Sequence, residues 1–457
     1  MPIRTARAAA LTTLWLLAAA GCGPSGGRPE QFRGAEEVVF WHFWGGRDLP
    51  VVEDVIARFN ASQSRYWVRG VAMPGANLDL KLFLAIAGGQ PPDVMNHDEP
   101  VVADWAHRGA LTPLSELATP EELERLGAWL YPAATRLATY DGRLYALVNG
   151  LDVRALYYNK TLLREAGLAP IAERGPHTLA ELDLIAETIT PPGSEDFDRV
   201  GYLPDPRRLW AWGVVFGGRF ADPDARDAAA RVTCDSPEVV DALLWMAGYS
   251  QRYGADRVAA FRSGDQALTG AAFPLLAGRR YAAIMDGQWR VRDLAEAQAA
   301  AAARGEGIDE VGVCPLPPPP GGVERAGWVN GNYFLVPRGA DCPAGAWEFM
   351  KFWAGLGHED QAARTAAAGG WIPASPEVVE RPAFQDFLKQ RPLFATFVEL
   401  AASDNQLPTP PLPVASTYYR EVTAAAQDAM YRGAEPRARL EQAAERTRAR
   451  LRAALAE

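Results

Sequence analysis

The sequence predicts an α/β protein in which helices cover largely parallel sheets. Three observations predict it. The apolar run 38–44 (VVFWHFW) is broken by Gly45-Gly46, and Val51, Val52, Val55, Ile56 and Phe59 then repeat at helical spacing. The same strand-then-helix rhythm returns at 66–71 and 78–87, and Pro91-Pro92-Asp93-Val94-Met95 leads into a third strand. A chain of 457 residues is long enough for two or three such domains.

The first strand should lie centrally, since it is apolar on both faces. Gly88-Gly89 ends the second helix, and polar Asn96, His97, Asp98 and Glu99 follow the third strand. In open sheets of this kind ligands gather beyond the carboxyl ends of strands, which here are 41–44 and 96–98. Thr119-Pro120-Glu121-Glu122 carries a capping box with Pro at the first helical position.

Residues 141–160 (DGRLYALVNGLDVRALYYNK) hold two apolar runs, 144–148 and 154–158. Asn149-Gly150 between them reads as a turn or hinge, because both residues tolerate positive φ. The polar link carries Asn149, Asp152 and Arg154, and such a crossing is where two lobes could join and a ligand could sit. Beyond it, Thr178 and Glu181 form another capping box, with Leu182, Ile185 and Ile189 on one face. The stretch 210–220 is aromatic and Gly-rich. A strand at 281–285 is broken by Asp286-Gly287-Gln288-Trp289, and Ala-rich 294–303 favours helix. A strand at 311–314 enters a stiff Pro-rich link at 315–322, and 328–337 reads as a strand pair or turn. The six Arg of 437–452 alternate with acidic residues and read as a solvated face.

Hydrophobic residues make up 48% and charged residues 22%, values of a globular chain with a sizeable core. A net charge of −10 excludes a general nucleic-acid binder. Residues 1–22 read as an export signal: Arg4 and Arg7, a short apolar stretch, then Ala19-Ala20-Gly21 before Cys22. Cys22 in that setting resembles a lipid-modified first residue, and 23–35 reads as a flexible tether. Cys234, Cys314 and Cys342 remain; Cys314 and Cys342 could pair, or all three could be buried small side chains.

Catalytic motifs are scarce: no G-x-S-x-G, P-loop or H-E-x-x-H occurs. His97, Asp98 and Glu99 with His42 could hold zinc, but a polar loop beside a pocket is the plainer reading, so no metal or cofactor is expected. Glycoside hydrolysis needs two carboxylates about 5–10 Å apart. Asp98, Asp152 and Asp286 could supply them, yet carboxylates also take sugar hydroxyls without reacting. Trp41, Trp44, Trp210, Trp212, Trp289, Trp328 and Trp371 fall near strand ends or Gly turns, where an indole can serve either a core or a polar ligand.

The motifs F-W-H-F-W, Phe59-Asn60, G-G-Q-P-P-D, D-G-R-L-Y, Y-Y-N-K, E-A-G-L, F-G-G, D-G-Q-W and G-G-W-I-P together resemble the bacterial extracellular solute-binding proteins of family 1. These are sugar-binding components of ABC importers, similar to maltose-binding protein. The Pro usual after the first strand of the D-G-R-L-Y segment is absent.

The resemblance implies a two-lobed periplasmic-binding-protein fold. Each lobe would be a mixed, mostly parallel sheet flanked by helices, the discontinuous lobes joined by hinge strands. The lobes would be 36–150 plus 315–356, and 151–314 plus 357–457. Residue reading and resemblance together give a candidate site at Trp44, His97, Asp98, Asn149, Asp152, Trp210, Trp212, Asp286, Trp289, Trp328, Asn330, Asn332 and Trp371, of which the resemblance implies His97, Asp98, Asp152, Trp289, the 328–332 turn and Trp371. Among these Asp152 would be an acidic sugar ligand and Trp289 a stacking ring.

The expected function is then carbohydrate capture, without chemistry, by a monomeric lipoprotein held at the outer face of the cytoplasmic membrane or in the periplasm. Lobe closure would deliver the sugar to an ABC permease. A neutral sugar is expected, because 41–46, 96–98, 149–152, 286–289 and 328–332 contain no Lys or Arg, although Arg154 and Arg290 stand just outside. A sugar-phosphate or polyol receptor, and a secreted carbohydrate-active enzyme, are the alternatives.

Overall fold

A computed structural model describes residues 29–73, 78–98, 100–190, 197–265 and 273–456. The export-signal stretch with Cys22 therefore lies outside the described residues, as does Glu99. Two sheets organise the chain. The larger has strand order β2-β1-β3-β8-β4, with β1 Glu36–His42, β2 Tyr66–Ala72, β3 Val94–His97, β4 Ala146–Asp152 and β8 Asn330–Leu335. The smaller has order β6-β5-β7, with β5 Arg154–Asn159, β6 Ala283–Gly287 and β7 Val311–Cys314.

The first three strands follow the predicted rhythm. β1 buries Val38, Phe40 and His42, and pairs in parallel with β2 and β3. The helix Leu49–Ser62 between β1 and β2 carries Pro in its first turn and buries Val52, Val55 and Phe59. β8 then inserts antiparallel between β3 and β4. Behind this sheet, Phe40, Phe334, Phe349 and Trp353 pack edge to face at centroid distances of 5.2–6.2 Å.

The smaller sheet has fewer parallel ladders than expected. β6 and β7 both pair antiparallel with β5. They are joined through the helix Arg290–Arg304 and run the same way, but β5 lies between them, so neither ladder is parallel.

The passage between sheets is abrupt. β4 ends at Asp152 in one sheet and β5 begins at Arg154 in the other, leaving only Val153, which is fully buried. Asn149-Gly150 is not the turn expected. It lies inside β4 at a register shift: Val148 faces Tyr333, Gly150 faces Asn332, and Asn149 is the extra residue. The ladder to β8 outcompetes the local turn preference. The backbone at Ile372 returns to β4 here, with Leu151 N donating to Ile372 O at 2.8 Å.

The Pro-rich link makes the second crossing, and Gly327–Trp328 pairs with Gln406–Leu407 beyond it. The helix Glu359–Gly369 packs against Leu49–Ser62 and Pro343–Ala354, which cover the larger sheet, and against Pro382–Gln390. Cys234, Cys314 and Cys342 are all free and buried, so Cys314 and Cys342 do not pair: one ends β7, and the other precedes the helix Pro343–Ala354 on the other sheet. No helix among the described residues is long and apolar enough to cross a membrane.

Candidate ligand-binding cleft

The seam between the sheets gathers the polar side chains. The β8–β4 register sets Asn330 opposite Asp152. The Asn330 side-chain amide donates to the backbone carbonyl of Asp98, at the end of β3. On the other side, Gln288 Nε2 donates to Asp152 Oδ1 at 2.7 Å and to Leu151 O at 3.2 Å, while its Oε1 accepts from Val153 N at 3.2 Å. Gln288 thus fixes the single-residue crossing and one carboxylate oxygen together. The β5–β6 register places Arg154 opposite Gly287 and Ala155 opposite Asp286. Asp286 accepts from Gly287 N at 2.8 Å and from Arg290 Nε at 2.8 Å, and Arg290 also reaches Asp293 at 2.8 Å.

The aromatic candidates separate by burial. Trp210, Tyr419, Trp328, Arg154 and Trp289 follow one another in a run of contacts. Tyr419 stacks on Trp210 at 5.9 Å and on Trp328 at 5.6 Å. The Arg154 guanidinium lies 5.6 Å from the Trp328 ring centre and 4.5 Å from that of Trp289. Trp210 and Trp328, 1% and 4% exposed, have no face left for a sugar. Trp212 is wholly buried, its N–H donating to the Tyr202 hydroxyl at 3.2 Å. Trp44, 6% exposed, forms a three-ring cluster with Trp353 at 5.2 Å and Trp371 at 5.4 Å, which themselves stack at 6.1 Å. All four rings are packed against other side chains in this structure. Each fills space between elements that the local sequence does not show to be adjacent.

Trp371 and Trp289 remain half-buried. Trp371 leans on Trp44 and Trp353. Trp289 has Arg154 against its ring, and the bare Gly287 makes room for it: a Cβ there would lie 2.4 Å from the ring. Trp289 is therefore the candidate ring best placed beside the Asp152–Gln288 pair.

Other candidates turn elsewhere. Asn149 is buried and faces Trp353, Thr365 and Trp371 beneath the sheet, away from the seam. Asn332 is buried opposite Gly150. His97 is buried edge-on to Trp105, its Nδ1 accepting from Asp98 N at 3.0 Å and its Nε2 lying 3.5 Å from Asp79. That contact holds the Asp79 carboxyl below the usual range. His42 is buried between Phe40 and Trp44, and burial pushes its pKa down to about 4. No group of three metal-ligating side chains occurs among the described residues.

The lobes also meet through charge. Arg47 and Asp48, just after β1, face the helix Arg290–Arg304 across the cleft: Arg47 pairs with buried Asp293 at 2.5 Å, and Arg292 with Asp48 at 2.5 Å. Gln288, Arg154, Arg208 and Tyr419 are the seam residues that sequence reasoning left out of the site. Gln288 had a signal, its place in the D-G-Q-W turn; Tyr419, inside the helix Ala415–Arg432, had none.

Two α/β lobes joined by crossing strands, with acceptors, amides and one half-buried indole at the seam, define a two-lobed solute-binding protein. The chain belongs to the bacterial extracellular solute-binding protein family, whose model matches residues 52–357. It is 26% identical over 361 residues to the maltotriose-binding protein of Pyrococcus abyssi, covering 76% of this chain and 69% of that one. Its fold is similar to that of CpMnBP1 with mannotriose bound, with a TM-score of 0.74, 23% identity, and 90% and 99% of the two chains covered. The cyclic α-maltosyl-1,6-maltose-binding protein of Arthrobacter globiformis matches with a TM-score of 0.70 and 22% identity, covering 92% and 99%. The family and fold are those of substrate-binding proteins, not enzymes.

Proposed function

We propose that this chain is an exported receptor that captures an oligosaccharide and delivers it to the permease of an ABC importer. The observation that carries this reading is the polar cluster beside the half-buried Trp289 at the seam where the lobes meet: Asn330 bonds the Asp98 carbonyl, Gln288 bonds Asp152, and Asn330 stands opposite Asp152 in the β8–β4 register. Acceptors and amides match sugar hydroxyls, and an indole matches the apolar face of a pyranose. Its similarity to a maltotriose-binding protein supports the ligand class. Ligand enters the open cleft, and the lobes close on it about the crossing at Val153. The pairs Arg47–Asp293 and Asp48–Arg292 then hold the closed form that a permease recognises.

The receptor is a monomer tethered through a lipid on Cys22, a reading supported by the n-region, apolar stretch and small residues before that Cys. Lobe boundaries fall at the Val153 crossing, at the 315–329 link and after the helix Pro382–Gln390, which packs on Glu359–Gly369, while Leu393–Ala401 packs on the smaller sheet. A thermal-shift screen against neutral and charged oligosaccharides tests the function. A binder raises the unfolding midpoint and is recovered unchanged. Hydrolysis of the bound sugar would reject the reading in favour of an enzyme.

A further inference from the structure

Two arginines at the cleft wall lack the partners that buried guanidinium groups need. Arg154 is 7% exposed, and its Nε and Nη1 have no hydrogen-bond partner among the described residues. Its plane is occupied by the Trp289 and Trp328 rings, which hold it in place but take no N–H in the plane of the fork. Arg208 stands at the start of the helix Leu209–Val215, half-buried, and its Nε also lacks a partner.

Tyr419 connects the two. Its ring stacks on Trp328, which Arg154 covers, and its helix packs on the turn Pro206–Arg208. Burial raises the Tyr419 hydroxyl, and Arg208, Arg154 and Arg207 pull it back. Burial pushes Arg154 down to about 10, and Arg208 pushes it the same way, ahead of the opposing effects of Asp152 and Asp286. The Nε donors of both guanidinium groups, without partners among the described residues, therefore belong to elements packed around Tyr419.

The nearby carboxylates take their hydrogen bonds from other donors, although Asp205 lies within reach of the Arg208 charge and Asp152 and Asp286 within reach of Arg154. Asp205 takes Arg207 and Arg262, each at 2.7 Å. Asp286 takes Arg290, and Asp152 turns an oxygen to Gln288. A forked pair of guanidinium groups with donors to spare is the arrangement that recognises an oxyanion. The cleft segments chosen from sequence contain no Lys or Arg. The fold brings Arg154 and Arg208 to them, and with them the basis for expecting a neutral sugar changes.

We infer that the captured sugar carries an oxyanion, a uronate carboxylate or a sulfate or phosphate ester, seated on Arg154 and Arg208. This rests on the oligosaccharide reading above and narrows it.

The test is titration calorimetry at low and high salt with matched pairs: mannotriose against the mannuronate trisaccharide, galactotriose against the galacturonate trisaccharide, and mannose against mannose 6-phosphate. Inorganic sulfate and phosphate are titrated alone. One anionic member should bind roughly tenfold or more tighter than its neutral partner, with the advantage shrinking at high salt. Which pair responds separates carboxylate from ester. Arg208→Gln should remove that advantage, and Arg208→Lys should retain part of it. Equal or tighter binding of the neutral members by the wild type would overturn the oxyanion and leave the sugar receptor standing. Binding of the inorganic ions without any saccharide, or of nothing at all, would overturn both.

Discussion

Gln288 Nε2 lies 2.7 Å from Asp152 Oδ1, and this bond ties the turn after β6 to the last residue of β4. The same amide group also holds Leu151 O and Val153 N, so one side chain fixes both a carboxylate oxygen at the seam and the path of the crossing. Gln288→Ala should weaken sugar binding by roughly tenfold and cost about 1–3 kcal/mol of stability, because Val153 N is buried and left unpaired. Calorimetry and chemical denaturation measure the two effects. An unchanged affinity would remove Gln288 from the site.

Two tryptophans should behave in opposite ways. Trp289 is half-buried beside Asp152, and Trp289→Ala should abolish most sugar binding and the ligand-induced fluorescence change. Trp212 lies in the core, and Trp212→Ala should cost roughly 3–5 kcal/mol of stability while leaving the folded fraction able to bind. Gly287→Ala should mimic Trp289→Ala, since the added Cβ would meet the ring at 2.4 Å.

Stability should depend on pH through two buried groups of opposite sign. His42 ordinarily titrates near 6.5, and burial takes it to about 4 in the fold. Between those values the unfolded chain binds the extra proton, so His42 costs stability as pH falls from 6.5 towards 4. Asp104 moves the other way: burial raises it from 3.8 to about 6, partly offset by bonds from Ser416 and Ala415. Its contribution is therefore lost as pH rises through that window. Denaturation of wild type and His42→Gln across pH 4–7 should show the variant losing less stability on acidification. Parallel curves would contradict the assignment.

The opposed pairs across the cleft predict a charge swap. Arg292→Asp alone sets two carboxylates against each other at Asp48 and should weaken ligand binding by disfavouring the closed form. Adding Asp48→Arg should restore it. Failure of the double variant to recover would mean that the pair does not act in closure.

Much of the fold was legible because its signals are local. The β1-helix-β2-helix-β3 unit follows from hydrophobic period and Gly breaks, and the two runs around Asp152 did form strands. Asn149-Gly150 misled because turn preference is a property of two residues, whereas the β8 ladder that turned it into a bulge is set by a strand some 180 residues away. The packing of Trp210, Trp212 and Trp328 was illegible for a related reason: sequence places an indole near a Gly turn but not the ring that covers it. Gln288 acts through backbone groups at the crossing, and Arg208 and Tyr419 reach the seam from separate helices. No local pattern records such meetings.

Small-angle scattering of the receptor with and without the saccharide that calorimetry identifies tests the central claim most directly. The account predicts a smaller radius of gyration at saturation, because the lobes rotate together about the Val153 crossing, and no such change for Asp152→Ala at the same concentration. An identical profile for the wild type with and without bound sugar would contradict a receptor that works by closing.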